Sequence, residues 1–232
     1  MGNESRFKIP ENCREFGGTN FGKRRLVANE FIQEFTKHVA PHKDLDERNE
    51  EWTKAVRGRF IDICPTDCCA VPKDRCTAKG EFLVDYIWEE KEDGRRILLA
   101  CESEWGTDRF GRTHWYRVEE DFEKLLAIKA TFKVLIFSSN CKLVGSQGTV
   151  EGDFSIGFAK DRLEASLRNY GHHISGEVYI FIDFPQTGIP NGDGRYRSFI
   201  WIAKKLGKSD VKFEVGEEHD LKRPTEPEAQ RT

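Results

Sequence analysis

The run Ile97-Leu98-Leu99-Ala100-Cys101-Glu102-Ser103-Glu104-Trp105 reads as a strand, and it carries two acids one residue apart. Residues i and i+2 of a strand point to the same face, so Glu102 and Glu104 project side by side. Two like charges that close repel, and folding alone disfavours them. A hard divalent cation such as Mg²⁺ between them would resolve the conflict. The competing reading places both on an exposed edge strand, paired with Arg95, Arg96 or nearby lysines.

Upstream, Glu81-Phe82-Leu83-Val84-Asp85-Tyr86-Ile87-Trp88 is a second strand, and Glu92-Asp93-Gly94-Arg95 supplies a turn. The two strands therefore form an antiparallel hairpin. Asp85 falls mid-strand, where Asp has poor propensity and needs a reason. It either faces solvent or reaches Glu102 and Glu104 across the hairpin, giving three carboxylates for one hard cation. Downstream, a loop holding Arg109 and Arg112 leads to a helix over 118–130. Its inward residues are Phe122, Leu125 and Leu126, and Glu119, Glu120 and Asp121 fall in its first turn, where acids suit the helix dipole. Such a crossover helix packs on the sheet that precedes it. Lys124, or failing that Lys129, could then bring an ammonium to the acids; otherwise Lys124 is a solvated lysine paired with Glu120. A lysine beside a metal-bound water can orient the nucleophile or stabilise charge developing on a phosphorane.

Apolar residues at spacings of three to four predict helices over 23–39 and 47–64, each closed by a proline, and another near 158–170. Apolar runs predict strands over 132–139, 177–184 and 196–202. The order α-α-β-β-α-β-α-β-β predicts an α/β fold, a three-layer α-β-α sandwich around a mixed central sheet. Residues 1–22 are expected to be a flexible segment. Residues 23–206 form one domain ending in a β-hairpin extension, and 207–232 form a polar tail.

The chain has 232 residues, with Lys plus Arg 37 against Asp plus Glu 40 and a net charge of −3. A generally basic surface is thereby excluded, though a local basic patch is not. No apolar stretch suffices to span a membrane, and the first residues show neither a signal peptide nor a myristoylation pattern. Seven cysteines without an export signal read as reduced thiols in a cytoplasmic protein. Cys64, Cys68, Cys69 and Cys76 could hold zinc, but they lack the spacing of two CxxC knuckles, and buried or incidental thiols are the favoured reading. Arg109, Arg112 and Arg117 flank the acids and suit phosphate contact. His114-Trp115-Tyr116 fits core packing better than base stacking, and His172-His173 fits a helix C-terminal cap better than metal ligation.

Asp85, the hairpin, Glu102-Ser103-Glu104, the following helix and the apolar strand 132–139 together resemble the PD-(D/E)xK nuclease superfamily, the restriction-endonuclease-like fold. The resemblance covers roughly residues 23–139. It implies Mg²⁺- or Mn²⁺-dependent hydrolysis of phosphodiester bonds, in DNA before RNA. Asp85 matches the family's Asp and Glu102 its second acid. The family's Lys position holds Glu104, and Lys124 fits the position on the next helix used by some branches. Metal ligation is implied for Asp85, Glu102 and Glu104, with Glu34 or Glu30 as the extra acid many members carry on their first helix. Many members act as homodimers. The departure at Glu104 keeps a second reading open, a non-catalytic module of the same fold that binds nucleic acid or a protein.

Overall fold

The computed structural model describes residues 7–37, 49–72, 84–92, 96–104, 115–138, 143–145, 148–150, 156–183, 196–205, 211–215 and 219–221. Helices α1 (Phe21–Thr36) and α2 (Asn49–Asp62) come first, then strands β1 (Cys68–Pro72), β2 (Tyr86–Glu90) and β3 (Ile97–Glu104). Helix α3 (Trp115–Ala127) leads to β4 (Phe132–Phe137) and a short ribbon of β5 (Leu143–Gly145) and β6 (Gly148–Val150). Helix α4 (Ile156–Asn169), β7 (Val178–Asp183), β8 (Tyr196–Lys205), β9 (Val211–Val215) and β10 (His219–Leu221) follow. Eight strands form one sheet in the order β1-β2-β3-β4-β7-β8-β10, with β9 also on β8. The pairs β3–β4 and β4–β7 are parallel and the rest antiparallel, so the sheet is mixed as expected.

The two crossovers β3–α3–β4 and β4–α4–β7 step the same way across the sheet. Right-handed connections then put α3 and α4 on one face. There Val118, Phe122, Leu125, Leu163 and Leu167 pack on Ala100, Leu135, Tyr179 and Phe181. The opposite face takes α1 and α2, where Val27, Phe31, Phe35, Val56 and Phe60 pack on Leu99, Cys101, Val134 and Ile180. Trp88 anchors this second layer: it is fully buried, lies 5.6 Å edge-on to Phe31, and donates from Nε1 to the Phe60 carbonyl at 3.1 Å. The molecule is therefore a three-layer α/β sandwich. No described helix is long and apolar enough to cross a membrane.

Several boundaries differ from expectation. Helix α3 begins at Trp115 rather than 118, so Glu119, Glu120 and Asp121 lie beyond its first turn. The segment 1–22, expected to be flexible, contributes Phe7, Ile9 and Cys13 to the core from residue 7 onward. Cys68–Pro72, expected within a loop, is an edge strand paired with β2. The tail expected from 207 includes β9 and β10, both paired with β8; residues 222–232 lie outside the described ones.

Arg24 on α1 ties the N-terminal segment to the sheet. It is fully buried and donates to the carbonyls of Gly176 (2.5 Å from Nη1) and Glu15. Gly176 has φ +88°, and a Cβ there would meet the Gly18 carbonyl oxygen at 2.7 Å. Gly176→Ala is expected to cost about 2–4 kcal/mol, from left-handed strain plus a backbone collision that no side-chain shift relieves. Urea unfolding of the two proteins measures it; a loss below about 1 kcal/mol would show that this junction yields.

Candidate active site

β3 is an interior strand, so the edge-strand reading of its acids does not hold. Along β3 Cys101 faces α1 and α2, while Ala100 and Glu102 face α3. The Glu102 side chain is 1% exposed. Tyr86 is paired with Cys101, which sets Asp85 opposite Glu102 just before β2 begins. Asp85 is thus at a strand entrance, not mid-strand. Its backbone N–H donates to Glu102 Oε2 at 3.2 Å. Its own Oδ2 accepts from the Ser103 N–H at 3.1 Å and the Ser103 hydroxyl at 3.2 Å. The hairpin therefore locks the two carboxyls together through reciprocal side-chain to backbone bonds.

Helix α3 completes the cluster. Its apolar stripe sets Lys124 over the sheet, with Nζ 4.0 Å from Glu102 Oε1. Lys124 is ion-paired with Asp121, one turn earlier. Glu102 Oε1 is buried and has no hydrogen-bond partner. Burial first, then the charges of Asp85 and Asp121, push the Glu102 carboxyl up to about 10, against a smaller opposing pull from Lys124. Burial pulls the Lys124 ammonium down, but the bond and charge of Asp121, then the charges of Glu102 and Glu120, outweigh it and hold Lys124 above its usual value. An acid kept neutral beside a held ammonium marks a place with too little positive charge for its carboxyls.

The structure brings Asp85, Glu102 and Lys124 together. Glu104 is the last residue of β3, two residues beyond Glu102 on the same face and half-buried. Arg117 lies in the first turn of α3, seven residues before Lys124. Arg109 and Arg112 lie outside the described residues. Glu34 is not brought to the cluster: its Oε2 is 3.3 Å from Arg59 Nη2, between α1 and α2, on the other side of the sheet from α3. Glu30, on the same helix, has its carboxyl pushed up by burial and by the charge of Glu34. The sequence gives Asp121 only a helix-dipole role, although it sits between Val118 and Leu125 on the apolar stripe. A carboxylate on an inward helical face was the available signal.

Hard oxygen donors around an unpartnered buried oxygen suit Mg²⁺ or Mn²⁺. Among the described residues no group of three or more His, Cys, Asp or Glu side chains is gathered closely enough to hold a metal alone. Mg²⁺ commonly takes only one or two protein carboxylates and fills its shell with water and phosphate oxygens, so the pair Asp85–Glu102 fits that ion. Zinc at the cysteines fits less well. Cys68 is buried and its neighbour Cys69 exposed, on opposite faces of β1, and Cys76 lies outside the described residues. Burial, then neighbouring cysteines, push the Cys64 thiol up to about 12; burial, then Asp67, do the same to Cys68. In the metal-free fold these thiols are protonated.

Trp115 is a core residue, edge-on to Phe137 at 5.9 Å and Phe158 at 5.8 Å. His173 Nε2 sits 2.7 Å from the Leu167 carbonyl in the last turn of α4, which is a capping contact. No protein-family model matches the chain, and neither a curated protein nor a solved structure matches it at a significant level.

Proposed function

We propose that the chain is a Mg²⁺- or Mn²⁺-dependent nuclease with a restriction-endonuclease-like fold, hydrolysing phosphodiester bonds in DNA before RNA. The carrying observation is Glu102 Oε1, a buried oxygen without a partner, placed by the hairpin beside Asp85 and by α3 beside Lys124. Asp85 and Glu102 would hold the ion, with Glu104 at the strand end. The bound cation supplies Lewis acidity and a more acidic water. Lys124, 30% exposed, can turn its ammonium to a phosphate oxygen or to the attacking water. Arg117, with Arg109 and Arg112, would contact flanking phosphates.

The test is nicking of supercoiled plasmid with Mg²⁺ or Mn²⁺ by wild type and Asp85→Asn. Asp85→Asn is expected to lower the rate by about a hundredfold or more, since a ligand is lost as well as its charge. Equal rates in the two proteins, or no cleavage of DNA or RNA by wild type with either ion, would sink the reading. Glu104 in the family's Lys position favours the second reading, an inactive module. That reading predicts metal-independent binding without cleavage.

A further inference from the structure

The cluster read above as a nuclease centre already holds a cation, its own lysine. Lys124 Nζ is ion-paired with Asp121 and lies 4.0 Å from Glu102 Oε1, too far for a hydrogen bond. Two carboxyl groups, Glu102 and Asp121, face one ammonium. That ammonium satisfies Asp121 and leaves the buried Glu102 oxygen without a partner. The acids are fixed: Glu102 is 1% exposed on an interior strand and Asp121 is 13% exposed on the inward face of α3. Lys124 is 30% exposed on a flexible four-carbon stem and can leave without opening the core.

We propose that Asp121 is a ligand of the divalent cation together with Glu102, and that the Lys124 ammonium is the resident occupant the ion displaces. One doubly charged ion in the ammonium's place would face both carboxyls, where the ammonium bonds to one. The displaced ammonium is then free for a phosphate oxygen, so metal and nucleic acid bind cooperatively. The ion alone must compete with a tethered positive charge, and so binds weakly. This inference rests on the proposed cation site and adds to it a ligand and a competitor.

Calorimetric titration of Mn²⁺ alone into the full chain decides it, using wild type, Lys124→Met and Asp121→Asn, with thermal melts to show that each is folded. Lys124→Met is expected to bind Mn²⁺ about tenfold tighter than wild type, and Asp121→Asn about tenfold weaker. Should Lys124→Met not fold, Lys124→Gln carries the same expectation. Affinity unchanged or weakened without the lysine, unchanged in Asp121→Asn, or undetectable in all three overturns the proposal. No nucleic acid is present, so the outcomes separate. Mn²⁺ binding in the expected order without plasmid nicking refutes the nuclease reading alone. Nicking with the same Mn²⁺ affinity in all three proteins refutes this inference alone.

Discussion

Replacing Glu102 with Gln is expected to raise the stability of the metal-free protein at pH 8 by about 2–4 kcal/mol while abolishing metal-dependent cleavage. The Glu102 carboxyl is pushed up to about 10, chiefly by burial and then by Asp85 and Asp121. An unfolded chain releases the same proton near pH 4.3. Between those values the folded state binds a proton that the unfolded state has lost, so stability falls as pH rises, by up to ~1.4 kcal/mol per unit. Glutamine has nearly the shape of the neutral acid and needs no proton. Its amide oxygen can still accept the Asp85 N–H that now bonds Glu102 Oε2. Urea unfolding in EDTA from pH 5 to pH 9 should show the variant's advantage growing with pH. Saturating Mn²⁺ should then stabilise wild type and leave Glu102→Gln unmoved, since only the former can become a carboxylate ligand. A variant less stable than wild type at pH 8 would mean that Glu102 is ionised in the fold. A stable variant that still cleaves at the wild-type rate would remove Glu102 from the chemistry.

The elements legible in the sequence were those with a long apolar period. Val118, Phe122 and Leu125 announce α3, and the unbroken runs of β4 and β7 announce buried parallel strands. β1 was hidden because Cys68-Cys69-Ala70-Val71-Pro72 has no alternation and sits among prolines; only pairing with β2 makes it a strand. β9 was readable, since Val211-Lys212-Phe213-Glu214-Val215 alternates in period two, but its charged setting argued for a tail. At the site, the side-by-side acids of β3 gave Glu102 and the crossover gave Lys124. Asp121 is masked because a helix expected from 118 puts it in the first turn, where any acid suits the dipole, whereas α3 begins at Trp115. Glu34 was placed by helix position alone, and no sequence pattern tells which face of the sheet a first helix will cover. A single charge within Phe132-Lys133-Val134-Leu135-Ile136-Phe137 demands a partner, but that partner stands just before another strand, β7, whose register the sequence does not reveal.

That partner is Glu177, and Glu177→Gln is expected to lower stability by about 3–5 kcal/mol, a fall in midpoint of about 10 °C. Lys133 is 1% exposed and Glu177 3%, with Nζ 3.0 Å from Oε1. The pair is hydrogen-bonded all round. Lys133 also donates to the Leu126 carbonyl at 3.3 Å, and Glu177 Oε2 accepts from the Tyr179 hydroxyl at 2.9 Å and the Ile174 N–H at 3.1 Å. Burial pulls the Lys133 ammonium down and Glu177 offsets only part of that. Burial likewise pushes the Glu177 carboxyl up, but the neighbouring His173 ring, 3.6 Å away, Lys133 and the Ile174 N–H outweigh it and hold it below the usual range. Its contribution is therefore present above about pH 4 and lost as pH falls further. Glutamine keeps the acceptor and deletes the charge, leaving an ammonium buried without its counter-ion. Lys133→Met leaves a carboxylate that retains two donors, and should cost about 2–4 kcal/mol. In the double variant neither charge is stranded. Its loss should fall short of the sum of the singles by about 2 kcal/mol, and the gap between wild type and Glu177→Gln should narrow below about pH 4. Thermal and urea unfolding of the four proteins measures both. Additive losses would show that the two charges are held by their separate hydrogen bonds rather than by each other.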